Sequence, residues 1–326
     1  MNQVLCCDWL NNEIPEKSIN LIIADPPYFE VMGEFDFVWN SFDDYLNDVE
    51  RWAIECKRVL ADNGCILWWG HAKKIAYSQI IFDKYFNLGN SIVWEKTECK
   101  TRTQDYQKAR HFAPVTERCL FYTNEVEMTS REFIEKEFIA HRNPFSIYLK
   151  SEFQNANITN KQIAELFPSK TGGLTGCVSN WLNGDHIITR NQYLIIKEYL
   201  NGDYLKKEYD DLKKEYDNLI AEHDYLRRPF NNVYKLTDVI RGSQEAHISC
   251  QYDHETIKPL TLTKKLIQTT SRKGDKVLIP FGGSGTEVEA CIETKRDYIC
   301  FEIAENHYKT IKEREKKALS QMQLDL

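Results

Sequence analysis

No apolar run in the chain approaches the roughly 18 residues that a membrane-crossing helix requires, so no membrane span is expected. The opening Met1-Asn2-Gln3-Val4 carries neither the basic nor the apolar region of an export signal, and the expected location is the cytoplasm. The ten cysteines include no Cys-x-x-Cys pair and no histidines at zinc spacing. Without export they read as reduced, mostly buried small hydrophobes, and neither a disulfide framework nor a metal site is expected. Positive charge is scarce as well: 42 Lys and Arg face 49 Asp and Glu, for a net charge of −7. That weighs against a nucleic-acid partner, because phosphate neutralisation needs cations. The dinucleotide fingerprint Gly-x-Gly-x-x-Gly is missing too, since the late glycine loop has Val at position 288. A nicotinamide enzyme is therefore disfavoured.

What is present is alternation. Ser18–Ala24 is a β-branched run that stops at Asp25-Pro26-Pro27, where prolines end any ladder. Phe42–Leu60 has apolar residues at helical spacing, Asn63-Gly64 turns the chain, and Cys65–Trp69 has a buried-strand pattern. Ile75–Phe86 then reads as helix, with Ser91–Trp94 and Cys119–Tyr122 extended. The C-terminal part alternates in the same way, with helix Thr261–Ser271, strand Lys276–Ile279, glycine loop Phe281–Gly285, helix Thr286–Thr294, strand Tyr298–Glu302 and helix Asn306–Leu319. Such alternation predicts an α/β fold with a doubly wound, mainly parallel sheet.

Between residues 129 and 234 strand runs vanish. Three short helices are expected at 159–167, 174–182 and 191–200. A near-duplication follows, Leu205-Lys-Lys-Glu-Tyr-Asp-Asp and Leu212-Lys-Lys-Glu-Tyr-Asp-Asn, with leucines at 205, 212, 219 and 226 in a heptad row. Pro229 ends that stretch. A long helix over 204–228 is expected, either a solvated strut or a coiled coil that would make a homodimer. The chain thus divides into 1–128, a helical insertion at 129–234, and 235–326.

Two constellations can carry chemistry. Asp25-Pro26-Pro27-Tyr28 follows a buried strand, and ligands of open parallel sheets bind beyond the carboxyl ends of the strands. Asp25 and a proline carbonyl can both accept hydrogen bonds from an amino group, and two prolines preorganise those acceptors. Tyr28 offers a flat face to a base outside its duplex, where stacking contributes about 1–3 kcal/mol. By itself the tetrapeptide also suits a plain strand-ending turn. Phe281-Gly282-Gly283-Ser284-Gly285-Thr286 joins a strand to a helix, so its backbone can approach a ligand and the helix start favours an anionic group. Glu302, 17 residues past Gly285 at a strand end, stands where an acid binds ribose hydroxyls.

Together, in this order, the two resemble the β-class amino-methyltransferases of DNA. Lys258-Pro259, in His254-Glu255-Thr256-Ile257-Lys258-Pro259-Leu260, resembles the family's His-Pro-x-x-Lys-Pro segment. The resemblance covers residues 1–122 and 235–326. It implies a Rossmann-like S-adenosylmethionine-dependent methyltransferase with its catalytic half preceding its cofactor half. It also implies double-stranded DNA as substrate and no metal. By resemblance Asp25, Pro26, Pro27 and Tyr28 are catalytic. Asp8, Asp25, Lys258, Phe281, Gly282, Gly283, Ser284, Gly285, Thr286 and Glu302 would bind S-adenosylmethionine. The sequence departs from the family at Cys7, Glu255 and Ile279, where Gly, Pro and Asp are usual. Family members with Asp-Pro-Pro-Tyr act mostly on adenine N6, those with Ser in place of Asp more often on cytosine N4. RNA as substrate, a catalytically silent DNA-binding relative and a protein-glutamine methyltransferase are the other readings. The last is disfavoured by Asp25 and by the large insert.

DNA contacts are expected in two places. From Lys96 to Arg118 six basic residues outnumber three acidic ones, and Lys96, Lys100, Arg102, Lys108 and Arg110 are candidates. Residues 159–184 resemble a helix-turn-helix with a widened turn, whose second helix would present Ser179 and Asn180 to the major groove. The alternatives are a surface loop for the first and a small packing lid for the second.

Overall fold

The computed structural model describes residues 2–31, 36, 38–97, 110, 112, 114–124, 139–242 and 257–324. The chain forms two compact units, one of residues 1–126 with 228–326 and one of residues 127–227.

The first unit is built on an eight-stranded sheet of order β1-β8-β7-β2-β3-β5-β4-β6. Its strands are β1 (Gln3–Leu5), β2 (Ile19–Ala24), β3 (Leu60–Gly70), β4 (Asn87–Lys96), β5 (Thr116–Thr123), β6 (Val239–Gly242), β7 (Lys276–Ile279) and β8 (Asp297–Phe301). All pairings are parallel except those of β5, which runs against both β3 and β4. The central strands are apolar on both faces because both are covered. Ile22, Ala24, Ile66 and Trp68 point into one core, with α1 (Phe42–Val59) and α2 (Ile75–Phe82) over it. Leu21, Ile23, Cys65, Leu67 and Trp69 point into the other, under α8 (Leu260–Thr270), α9 (Thr286–Thr294) and α10 (Glu305–Leu324). The period of two along each strand thus sorts alternate residues between the cores, which makes the sheet doubly wound.

Helix α1 shows how the sequence sets its own limits. The Ser41 hydroxyl accepts from the Asp44 amide, Asp43 and Asp44 face the positive helix start, and Lys57 and Arg58 face the negative end. Tyr45, Val49, Trp52, Ala53, Cys56 and Val59 form its buried stripe.

Several expectations are corrected. The Asn63-Gly64 turn is an irregularity inside β3, where the register against β2 jumps from Ile19–Leu60 to Leu21–Cys65. Helix α2 stops at Phe82, before a turn in which Tyr85 and Phe86 amides donate back to Phe82. Strands β1 and β6 have too few residues to show a pattern and exist through their pairing with β8 and β4.

The second unit is helical: α3 (Pro144–Asn155), α4 (Asn160–Ala164), α5 (Cys177–Asn183), α6 (Arg190–Tyr199) and α7 (Tyr209–Leu226). Helix α3 was not foreseen, although Asn143 caps it and Pro144 opens it. Helix α5 begins at Cys177, not at 174, and ends on Gly184, whose φ of 82° suits glycine. A Cβ there would lie 2.7 Å from the Ala140 carbonyl oxygen. Thr159 with Gln162 and Thr189 with Gln192 form capping boxes. The expected helix over 204–228 is shorter, and Leu205 lies outside it with φ of 55°. The leucine row turns inward: Leu205 and Leu212 belong to this unit's own core with Phe145, Trp181 and Ile196. Only Leu226 is exposed, so the row leaves no continuous apolar seam for a second helix.

Candidate active site

The candidate residues converge at the carboxyl edge of the parallel strands. Strands β2 and β7 are paired neighbours, Leu21 opposite Val277 and Ile22 opposite Leu278. Asp25, one residue past β2, and the turn 281–285 past β7 therefore leave the sheet at the same edge from adjacent strands.

Asp25 is held at both carboxylate oxygens. The Tyr28 hydroxyl donates to Oδ1 and the Lys258 ammonium to Oδ2 at 2.5 Å. Lys258 is 4% exposed and also meets Glu117 Oε2 at 3.0 Å, and Lys96 pairs with the other oxygen of Glu117. The Lys258 ammonium lies 5.1 Å from the Trp69 ring centroid, so an aromatic face shares its charge. Burial works against the charge on Glu117, yet Lys258 and Lys96 outweigh it and hold the carboxyl at about 2. Burial likewise opposes the Lys258 charge, but Asp25 and Glu117 raise its pKa above the ordinary lysine value. Burial, then Asp25 and Glu117, push the Tyr28 phenol well up, which keeps it a donor. The Tyr28 amide donates to the buried Asp36 carboxylate, which pins the tetrapeptide from its backbone side. His71, just past β3, lies 6.4 Å from Tyr28 between ring centroids; burial and then Lys73 lower its pKa.

The glycine turn is closely packed. A Cβ on Gly282 would stand 2.6 Å from Ile311 Cδ1 and 2.8 Å from Cys300 Sγ. Gly283 and Gly285 have φ of 48° and 80°, the left-handed region where glycine carries no Cβ penalty. Arg314, fully buried on α10, supports the turn from behind: it donates to the Ser284 carbonyl at 2.8 Å, to Thr286 Oγ1 at 3.0 Å and to Glu289 Oε2 at 2.5 Å. The Thr286 hydroxyl therefore faces Arg314. Glu302 accepts from the Gly283 amide at 2.7 Å and from the Ala304 amide at 2.8 Å, one on each oxygen. Phe281 packs edge-on against Trp52 and Trp9, with ring centroids 5.0 and 6.2 Å away. Asp8, just past β1, caps the turn Trp9–Asn11 by accepting from the Leu10 amide.

The structure thus gathers Asp25, Pro26, Pro27, Tyr28, Lys258 and the 281–286 turn with Glu302 at one edge. The expected DNA contacts divide differently. The Lys96 ammonium is on Glu117, inside this network. Arg110 is exposed; Lys100, Arg102 and Lys108 lie outside the described residues, as does His254-Glu255-Thr256. Ser179 and Asn180 are exposed on α5 of the helical unit. Glu117, Asp36 and Arg314 were missed. The charged pair Glu117-Arg118 before the apolar run Cys119–Tyr122 was the available sign for Glu117. Its meaning depended on strand direction: β5 is antiparallel, so Arg118 pairs with Gly70 and the start of β5 reaches the carboxyl end of β3.

A family model described as DNA methylase (N6_N4_Mtase) matches residues 19–313. The DNA adenine methyltransferase YhdJ of Escherichia coli K12 is 23% identical over 303 residues, covering 91% of this chain and 76% of the relative. A DNA modification methylase of Thermus thermophilus, solved in complex with S-adenosyl-L-methionine, has a TM-score of 0.50 at 15% identity, over 98% of this chain and 96% of its own. The cytosine-N4-specific PvuII DNA methyltransferase has a TM-score of 0.52 at 11% identity, over 98% of this chain and 90% of its own. At such identities the two structures bear on the fold alone.

Proposed function

The chain belongs to the DNA methylase family, and on that premise we propose that it methylates the N6 amino group of adenine in a base turned out of double-stranded DNA. The methyl donor of such DNA methylation is S-adenosylmethionine. The observation that carries the adenine reading is the Asp25 carboxylate, fixed at both oxygens and leaving the sheet beside the glycine turn. A carboxylate is a stronger acceptor than a neutral hydroxyl or amide, which suits the weakly polarised amine of adenine. The kinship with YhdJ supports the same choice.

The residues present fit the cofactor. The close-packed Gly282 and the left-handed Gly283 and Gly285 donate their amides within the chain, to Phe301, Glu302 and Gly282, and the turn they form opens onto the start of α9, where the helix dipole favours a carboxylate. Each Glu302 oxygen has one amide donor and a further lone pair for a ribose hydroxyl. When bound, S-adenosylmethionine supplies a methyl group on a sulfonium. The chain supplies position. Asp25 and a proline carbonyl of Pro26-Pro27 accept from the amino group and turn its lone pair outward. Tyr28 stacks on the extruded base, offsetting an unstacking cost of a few kcal/mol. Lys258 fixes Asp25.

The helical unit is assigned to target recognition, with Ser179 and Asn180 of α5 toward the major groove, and the cytoplasm is its workplace. Because the family spans N6 and N4 enzymes, cytosine N4 is the second reading. Mass analysis of nucleosides from DNA methylated by the chain separates the two. Asp25→Ala is expected to lower methyl transfer by about a thousandfold or more, with cofactor affinity within a few-fold. Turnover like that of the wild type would refute the role of Asp25, and Asp25→Asn, which keeps the shape, repeats the test.

A further inference from the structure

One buried acid beside this site has no part in the reading above. Glu287 lies in the first turn of α9, directly after the glycine turn, and is 6% exposed. The charges around it are already matched with one another. Lys258 is held by Asp25 and Glu117, Lys96 by Glu117, and Arg314 by Glu289. Among the described residues no cation pairs with Glu287, whose own backbone amide is its hydrogen-bond donor. Burial, then the nearby Asp25 charge, raises its carboxyl to about 7, although its own amide, Lys258 and Arg314 pull the other way. Cys291 on the same helix and Cys300 on β8 also feel its charge; burial, as the main cause, keeps both thiols protonated. An acid buried at a helix start without a cation of its own is costly to ionise until a cation arrives.

We propose that Glu287 binds the α-ammonium of the methionyl end of S-adenosylmethionine, an inference that rests on the methyltransferase reading. The ligand's charge makes the match. It brings one ammonium and one sulfonium against one carboxylate, and the positive start of α9 suits the carboxylate. The network of Asp25, Glu117, Lys96 and Lys258 is balanced, so among the described residues Glu287 is a buried acid without an ion pair that can offset the incoming cation. Asp25 then keeps its lone pairs for the amino group that reacts.

The proposal has a thermodynamic signature. With its carboxyl raised to about 7, Glu287 is partly protonated in the free protein near neutrality, and ionisation on binding releases that proton. Affinity therefore falls as pH drops below about 7, by about tenfold between pH 8 and pH 6. Calorimetry with S-adenosylhomocysteine, which keeps the ammonium and lacks the sulfonium, measures this, and two buffers of different ionisation enthalpy count the protons. The expected result is net proton release near pH 6.5 for the wild type. Glu287→Gln is expected to weaken S-adenosylhomocysteine at least tenfold, to flatten its pH dependence and to stop the release. Binding of 5′-methylthioadenosine, which lacks the amino-acid end, is expected to be equal in both proteins and insensitive to pH. Equal weakening of both ligands, or homocysteine-ligand binding without proton release in the wild type, overturns the assignment. The wild-type proton count stands even if the variant does not fold. Failure of the wild type to bind S-adenosylhomocysteine at all would instead remove the cofactor reading itself.

Discussion

Lys258→Met is the sharpest probe of the charge network. The substitution keeps most of the side-chain volume and removes an ammonium that is 4% exposed, 2.5 Å from Asp25 and 3.0 Å from Glu117. Two carboxylates then share a buried edge with Lys96 as the remaining partner of Glu117. Removing one member of a buried ion pair costs about 3–5 kcal/mol, because the partner keeps its desolvation penalty. The pH dependence identifies the cause. In the wild type Glu117 titrates at about 2, below its unfolded value, so its contribution is present above the unfolded carboxyl pKa and lost as pH falls toward 2. In the variant burial is opposed by Lys96 alone and the Glu117 carboxyl moves up, so protonation relieves the strain. The stability gap between the two proteins is therefore expected to be widest at pH 7–8 and to narrow at pH 4–5, read from urea midpoints across that range. Methyl transfer is expected to fall because Asp25 loses the donor on Oδ2. A gap of equal size at pH 5 and pH 8, or no gap at pH 7, would refute the network as drawn.

Two further substitutions test the frame around the site. Gly282→Ala places a methyl against Ile311 Cδ1 and Cys300 Sγ. It is expected to lower stability by about 1–3 kcal/mol and to weaken cofactor binding, with partial recovery on adding Ile311→Val; thermal melts with and without S-adenosylhomocysteine read both effects. In the helical unit, Leu212 is fully buried and Leu226 is 55% exposed. Leu212→Ala is expected to cost about 2–5 kcal/mol and Leu226→Ala under about 0.5, measured by denaturant unfolding.

The parts of the site that were legible are those written locally. Asp25 and the glycine turn stand where an apolar run meets proline or glycine, and in a parallel sheet every such junction falls on the same edge. Glu302 follows from the same rule. Glu117 was illegible because the run Cys119–Tyr122 does not say which way its strand points; only the antiparallel pairing with β3 brings its first residues to the site. Lys258 was found through family likeness, but its pairing with Asp25 and Glu117 was not. An ion pair between positions 25 and 258 has no periodicity to betray it. The same limit applied to Lys96, where a basic stretch suggested phosphate contacts and the fold turned that ammonium toward Glu117.

The repeated heptapeptide makes this point within a single unit. Leu205-Lys-Lys-Glu-Tyr-Asp-Asp and Leu212-Lys-Lys-Glu-Tyr-Asp-Asn differ in one residue, so intrinsic helix preference treats them alike. The second copy is helical along its length, whereas the first turns helical only at Tyr209. The difference lies in what captures the first copy. The Leu205 amide donates to Glu152 at 2.6 Å and the Lys207 amide to the Tyr148 hydroxyl at 3.0 Å, both from α3. The Lys207 carbonyl accepts from the Tyr193 hydroxyl of α6 at 2.8 Å. These contacts satisfy backbone groups that a helix would otherwise pair, and Leu205 buries its side chain fully while adopting a left-handed φ. A helix start has unpaired amides in any case, so ending the helix early adds little cost where side chains supply acceptors. The heptad pattern fits the burial of Leu205, Leu212 and Leu219 but not the exposure of Leu226. It could not say that their partners are α3 and α6 rather than a second copy of α7, because burial against either satisfies the same spacing.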